Sequence, residues 1–178
     1  HITADDKFYD GTTTASIASC TLTGVLAADV GNVTCTASGT FASANVGNWT
    51  VTATSVTLGG SAMGNYQLPA AMPTTTAIIK QKSASVTPNA DGKIFGASDP
   101  QLTGVLTGFL AGDSVTATYS RTTGDTVAGS PYIISATLSP VGVLGNYDIT
   151  YNTANFTISK ASPALKFTAY TVSASSAS

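Results

Sequence analysis

Cys20 and Cys35 are the pair of residues whose type and spacing most directly promise a bond. They fall on the two arms of a predicted hairpin whose tip is near Ala28–Gly31. Cross-strand cysteines close a disulfide when their Cβ atoms face each other. A loop of this length would stabilise the fold by roughly 3 kcal/mol in the chain-entropy picture. The alternative is two small buried thiols. Asp5, Asp6 and Asp10 cluster in sequence and raise the question of calcium, which takes about six to eight oxygens. The chain has nine Asp, no Glu and no Asp-x-Asp-x-Asp-Gly loop, so these residues read as turn residues capping local backbone. No metal and no cofactor is expected. Lys7, Lys80, Lys93 and Lys160 near strand ends, with Asn65 and Asn146, pose a Lys–Asn crosslink against solvated lysines and Gly-Asn turns. Trp49, Tyr66, Tyr132, Tyr147 and Tyr151 offer a sugar platform or, as Val51 and Ala53 in phase with Trp49 favour, a sandwich core. His1 is the single histidine, which removes His-based triads and multi-His metal sites. No catalytic residue emerges, and the chain is not expected to be an enzyme.

The elements that position these residues follow from composition. The chain has 178 residues, 43 % of them hydrophobic but only 9 % charged, against roughly 25 % charged in ordinary soluble domains. Thirty Thr and twenty Ser, with 17 Gly, favour strands and turns over helix. Seven basic residues and a net charge of −2 disfavour nucleic acid as a partner. No apolar stretch approaches the ~18 residues of a membrane-spanning helix. Three N-glycosylation triplets, at Asn32, Asn48 and Asn155, are about what chance gives in so Thr-rich a chain.

An internal repeat organises the chain. Leu22-Thr23-Gly24-Val25-Leu26-Ala27-Ala28-Asp29 returns as Leu106-Thr107-Gly108-Phe109-Leu110-Ala111-Gly112-Asp113. Ala44-Asn45-Val46-Gly47 is similar to Thr126-Val127-Ala128-Gly129, and Gly64-Asn65-Tyr66 returns as Gly145-Asn146-Tyr147. Two homologous units result, 1–80 and 81–160, with the boundary near Gln81-Lys82-Ser83. The counterparts of Cys20 and Cys35 are Gly104 and Ala117, so both members of the pair are missing together from the second unit. Within each unit the hydrophobic period is two: Val51 and Ala53 alternate with Thr50 and Thr52, and Tyr147, Ile149 and Tyr151 with Asp148 and Thr150. Turn signals such as Asp10-Gly11, Gly59-Gly60 and Gly145-Asn146 separate the runs. The expected fold is all-β: two tandem small antiparallel β-sandwich domains with two cores rather than one.

Residues 2–12, containing Tyr9-Asp10-Gly11, resemble the YDG-type repeat. The second unit resembles the related MBG-type repeat of bacterial surface proteins through Lys93, Gly96, Asp99-Pro100, Leu102-Thr103, Gly112-Asp113, Arg121, Gly124, Gly129, Tyr132 and Gly145-Asn146-Tyr147. Phe95 stands where that family usually has Tyr, and Asp125 where it usually has Glu. The resemblance implies immunoglobulin-like modules in large exported adhesins or filamentous surface proteins, extracellular or at the cell surface, and no catalytic residues.

Residues 161–178 read as the first strand of a following repeat or as a donated strand, with Leu165, Phe167 and Tyr170 as inserted side chains. The strand faces are coated with Thr and Ser and carry little edge protection. The functional expectation is a rod-like spacer with self-association surfaces, its partners being neighbouring repeats, other copies, or a host or matrix surface. The alternatives are a filament subunit joined by strand addition through the tail and a carbohydrate-binding module. No signal peptide is visible, so export rests on composition and resemblance.

Overall fold

The computed structural model describes residues 1–164. Leu165, Phe167 and Tyr170, and with them the donated-strand expectation, lie outside the described residues. Seven strands precede Gln81: β1 (Ile2–Ala4), β2 (Lys7–Phe8), β3 (Thr14–Ala15), β4 (Ile17–Cys20), β5 (Thr34–Phe41), β6 (Gly47–Gly59) and β7 (Thr74–Lys80). Among the described residues seven follow it: β8 (Lys82–Pro88), β9 (Asp91–Ile94), β10 (Gly104–Thr107), β11 (Thr116–Arg121), β12 (Tyr132–Ser139), β13 (Tyr147–Tyr151) and β14 (Ala154–Ser159). Among the described residues helix is confined to single turns at Ala27–Asp29, Met63–Asn65, Ala111–Asp113 and Val141–Leu144. No helix among the described residues is long and apolar enough to cross a membrane.

Each half builds its own pair of sheets. The first has β1-β4 and β2-β7-β6-β5-β3; the second has β10-β8-β13 and β11-β12-β14-β9. The alternation sets the faces. Val51 and Ala53 are buried while Thr50 and Thr52 face water, and Thr36 and Thr57 hydroxyls pair across the wet face at 2.7 Å. The alternation fails at Tyr151, which is 53 % exposed rather than inward.

The pairing is not purely antiparallel. β2 runs parallel to β7, β9 parallel to β14 and β13 parallel to β8. The first two correspond: in each half the opening strand leaves one sheet, crosses at Asp5-Asp6 or Asn89-Ala90, and lies beside the last strand of the other sheet. A strand that switches sheets meets a distant partner in the same direction, and local alternation cannot reveal it.

The described residues form two core clusters, but the first does not stop at the boundary. Tyr9, Phe41, Val51 and Ile79 of the first half form one cluster with Ala84 and Tyr147 of the second. A separate cluster of Tyr132, Ile134, Phe156 and Ile158 fills the far end of the second half.

Candidate functional site: the joint between the two halves

The residues that meet at the boundary are those the sequence repeats or concentrates in its motifs. Only Gln81 stands between β7 and β8. Its side-chain amide donates to the carbonyls of Gly145 (3.2 Å) and Tyr147 (3.1 Å), which pins the linker to the second half.

Tyr9 follows β2, and its N–H donates to the Lys80 carbonyl at 2.8 Å, so its ring projects beyond the end of the first sheet pair. Lys7 and Asp10 hold this tip: their charged ends lie 2.8 Å apart, and Asp10 also accepts from the Thr12 N–H at 2.8 Å. Burial pushes the Asp10 carboxyl up, but these partners outweigh it and its pKa lies below the usual value. Gly11, at φ +76°, turns the chain in the left-handed region, and Leu110 packs close to it.

The second half supplies a socket. Gly108, at φ +84°, lets the loop pass against the Ser83 carbonyl and carry Phe109, Leu110 and Asp113 to the boundary. The Tyr9 hydroxyl donates to both Asp113 oxygens at 3.1 Å. The Tyr147 hydroxyl donates to the same carboxylate and accepts from the Leu110 N–H at 3.0 Å. The Tyr9 and Tyr147 rings meet edge to face at 5.5 Å, and Phe109 lies 4.9 Å from Tyr147. Asn146 closes the side: its Oδ1 accepts from the Val46 N–H at 3.0 Å and its Nδ2 donates to Asn45 Oδ1 at 3.1 Å. Desolvation first, then the Asp113 carboxylate, raise the pKa of both phenols, that of Tyr147 to about 12. The phenols therefore stay protonated and keep donating.

A second polar cluster lies at the opposite end of the second half. Lys93 is 2.7 Å from Asp99 and also pairs with Asp125, while Arg121 forks onto Asp99 at 2.6 and 3.0 Å. The guanidinium covers the Tyr132 and Phe156 rings. The Asp125 and Asp99 carboxylates raise the Lys93 pKa, and Arg121 and Lys93 hold Asp99 far below the usual carboxylate range. The Lys93 amine faces two carboxylates here, not the Asn amide that a Lys–Asn crosslink would use.

The remaining expected residues fall as follows. Cys20 and Cys35 are bonded, with Cα atoms 5.7 Å apart. They are not on two arms of one hairpin: β4 pairs with β1 and β5 with β6, so the bond ties one sheet to the other. Asp5 accepts from the Ser16 hydroxyl, and Asp6 takes the Ile78 N–H and pairs with Lys80 at 3.0 Å. Among the described residues no three His, Cys, Asp or Glu side chains gather as metal ligands. Tyr132 and Tyr147 are buried, and Trp49 is partly buried with its Nε1 donating to the Asn45 carbonyl at 2.7 Å. The Tyr9–Asp113–Tyr147 grip is not visible in any of these residues taken singly. The recurrence of Asp29 with Tyr66 and of Asp113 with Tyr147 in register was the signal.

Residues 1–77 match the model of the YDG domain and residues 84–157 that of the MBG domain (YGX type). The chain is thus a tandem of a YDG repeat and an MBG repeat. No curated protein and no solved structure matches it significantly.

Proposed function

We infer that this chain is a structural segment of an exported bacterial surface adhesin or fibre. Residues 1–80 and 81–160 would act as repeats that space and present neighbouring modules, without enzymatic activity. YDG and MBG domains in tandem are repeat modules of a larger protein. The observation that carries the spacer role is the burial of Tyr9, at 5 % exposure, in a joint made by both repeats. Modules on a flexible tether are free to reorient; here the linker, two phenols, a carboxylate and Asn146 all fix the angle. Repeats that contact only their neighbours through such joints build a rod. The Cys20–Cys35 bond supports an oxidising, extracellular setting.

Small-angle scattering of the chain tests this. A stiff two-module particle with one narrow distance distribution is expected. A broad distribution, unchanged when Tyr9 is replaced by Ala, overturns the spacer reading.

A further inference from the structure

Both repeats carry a socket at one end and a tip at the other, and the occupied joint shows how they fit. The socket of the first repeat has the same hydrogen bonds as that of the second. The Tyr66 hydroxyl donates to Asp29 at 2.8 Å and accepts from the Leu26 N–H at 3.1 Å, as Tyr147 does with Asp113 and Leu110. The single helical turns Ala27–Asp29 and Ala111–Asp113 coincide in this comparison. What differs is cover. Leu110 is packed in the joint, whereas Leu26 is 69 % exposed, and Asn146 is buried whereas Asn65 is exposed.

The tip of the second repeat also matches. Phe95 follows β9 as Tyr9 follows β2, each beside the last strand of its repeat. The Phe95 N–H donates to Ser159 at 2.8 Å, as the Tyr9 N–H does to Lys80. Tyr9 is 5 % exposed and Phe95 51 %. Strand register puts this tip at the end of the second repeat opposite Asp113: β11 starts beside the Asp113 loop, and its far end, Arg121, lies across from Ile134. β14 then continues past Tyr132 to Ser159, away from that loop.

We propose that these two exposed surfaces are halves of the same joint: Val25, Leu26, Asp29 and Tyr66 form a docking socket for the Phe95 tip of a second copy of this chain, giving head-to-tail assembly. The proposal deepens the spacer reading and rests on it. Phe95 brings the ring but no hydroxyl, so the contact lacks the donor that Tyr9 gives Asp113. It also lacks the short tether, which inside the chain keeps tip and socket at millimolar or higher effective concentration. The association is therefore weak and belongs in the millimolar range.

The test is amide NMR of the labelled full chain, concentrated into the millimolar range. Shifts are expected at residues 24–30, 63–66 and 93–96. Phe95→Tyr, which restores the donor, should tighten the association roughly tenfold. Leu26→Asp and Phe95→Ala, both at exposed positions, should each abolish it. Shifts that fall elsewhere, survive Leu26→Asp, or are absent from both the native chain and Phe95→Tyr overturn the proposal. The two readings fail separately: a dilute chain that scatters as a stiff particle with inert ends defeats the docking alone, and a flexible dilute chain defeats the spacer.

Discussion

Tyr9 and Tyr147, from different repeats, donate their hydroxyls to one carboxylate, that of Asp113. The family triplet Tyr9-Asp10-Gly11 is thus a joint motif. The tyrosine plugs the neighbour, the aspartate braces the tip through Lys7 and Thr12, and the glycine makes the left-handed turn that ends the tip.

Removing one member of the grip should cost less than removing its centre. Tyr9→Phe takes away one hydrogen bond to a charge and leaves Asp113 partnered by Tyr147, so a loss of about 1–2 kcal/mol is expected. Asp113→Ala strands two part-buried phenols and should cost about 2–4 kcal/mol. Urea unfolding checks both. Equal losses for the two variants would show that the carboxylate is not shared in solution.

Gly108 and Gly24 occupy equivalent positions at φ +84° and +79°, yet they predict different costs. An Ala at either place bears left-handed strain of about 1–3 kcal/mol. At Gly108 the new Cβ would also meet the Ser83 carbonyl at 2.4 Å, backbone that cannot step aside, whereas at Gly24 nothing lies within 4 Å. Gly108→Ala should lower the melting temperature well beyond Gly24→Ala; equal effects would place the loop elsewhere.

The strands and the repeat are legible in the sequence because alternation and in-register recurrence are local or self-similar signals. Val51 and Ala53 announce their burial, and Asp113 with Tyr147 announces that something is kept. What they grip is not legible. In the sequence Tyr9 stands out only through the family triplet, and its burial comes from a surface far along the chain. The parallel partners of β2 and β9 are hidden for the same reason. The disulfide pairing follows from there being two cysteines, but its bridging of two sheets depends on β4 pairing with β1 rather than with β5, a tertiary fact.

The Cys20–Cys35 bond lies wholly in the first repeat, so its removal should be felt there. Replacing both with Ala frees a loop whose closure is worth roughly 3 kcal/mol. The first repeat should melt earlier, with the second following only as far as the joint couples them. Calorimetry with Tyr9→Ala in the same background separates the two transitions. An unshifted first transition would mean that the bond does not constrain the unfolded chain.

The pH limits follow from the same groups. In the folded chain Asp99 and Asp125 hold protons more weakly than in the unfolded chain, because Arg121 and Lys93 stabilise the carboxylates. Their contribution is therefore present above about pH 4, the unfolded carboxylate range, and is lost as pH falls below it. Tyr9 and Tyr147 have the opposite sign. Their raised pKa means that the folded joint binds their protons more tightly than the unfolded chain does. That stability is complete below the unfolded phenol value of about 10 and is lost as pH rises toward about 12, the value for Tyr147. Above it a phenolate would face the Asp113 carboxylate across a former hydrogen bond. Phenolate absorbance should therefore show Tyr147 titrating late, and scattering should show the two repeats losing their fixed angle over the same interval. Tyr147→Phe should shrink that late step, and Tyr9→Phe in the same background should remove the joint's remaining share of it; a late step that keeps its full amplitude in the double variant would belong to other phenols, and the joint would not be what opens at high pH.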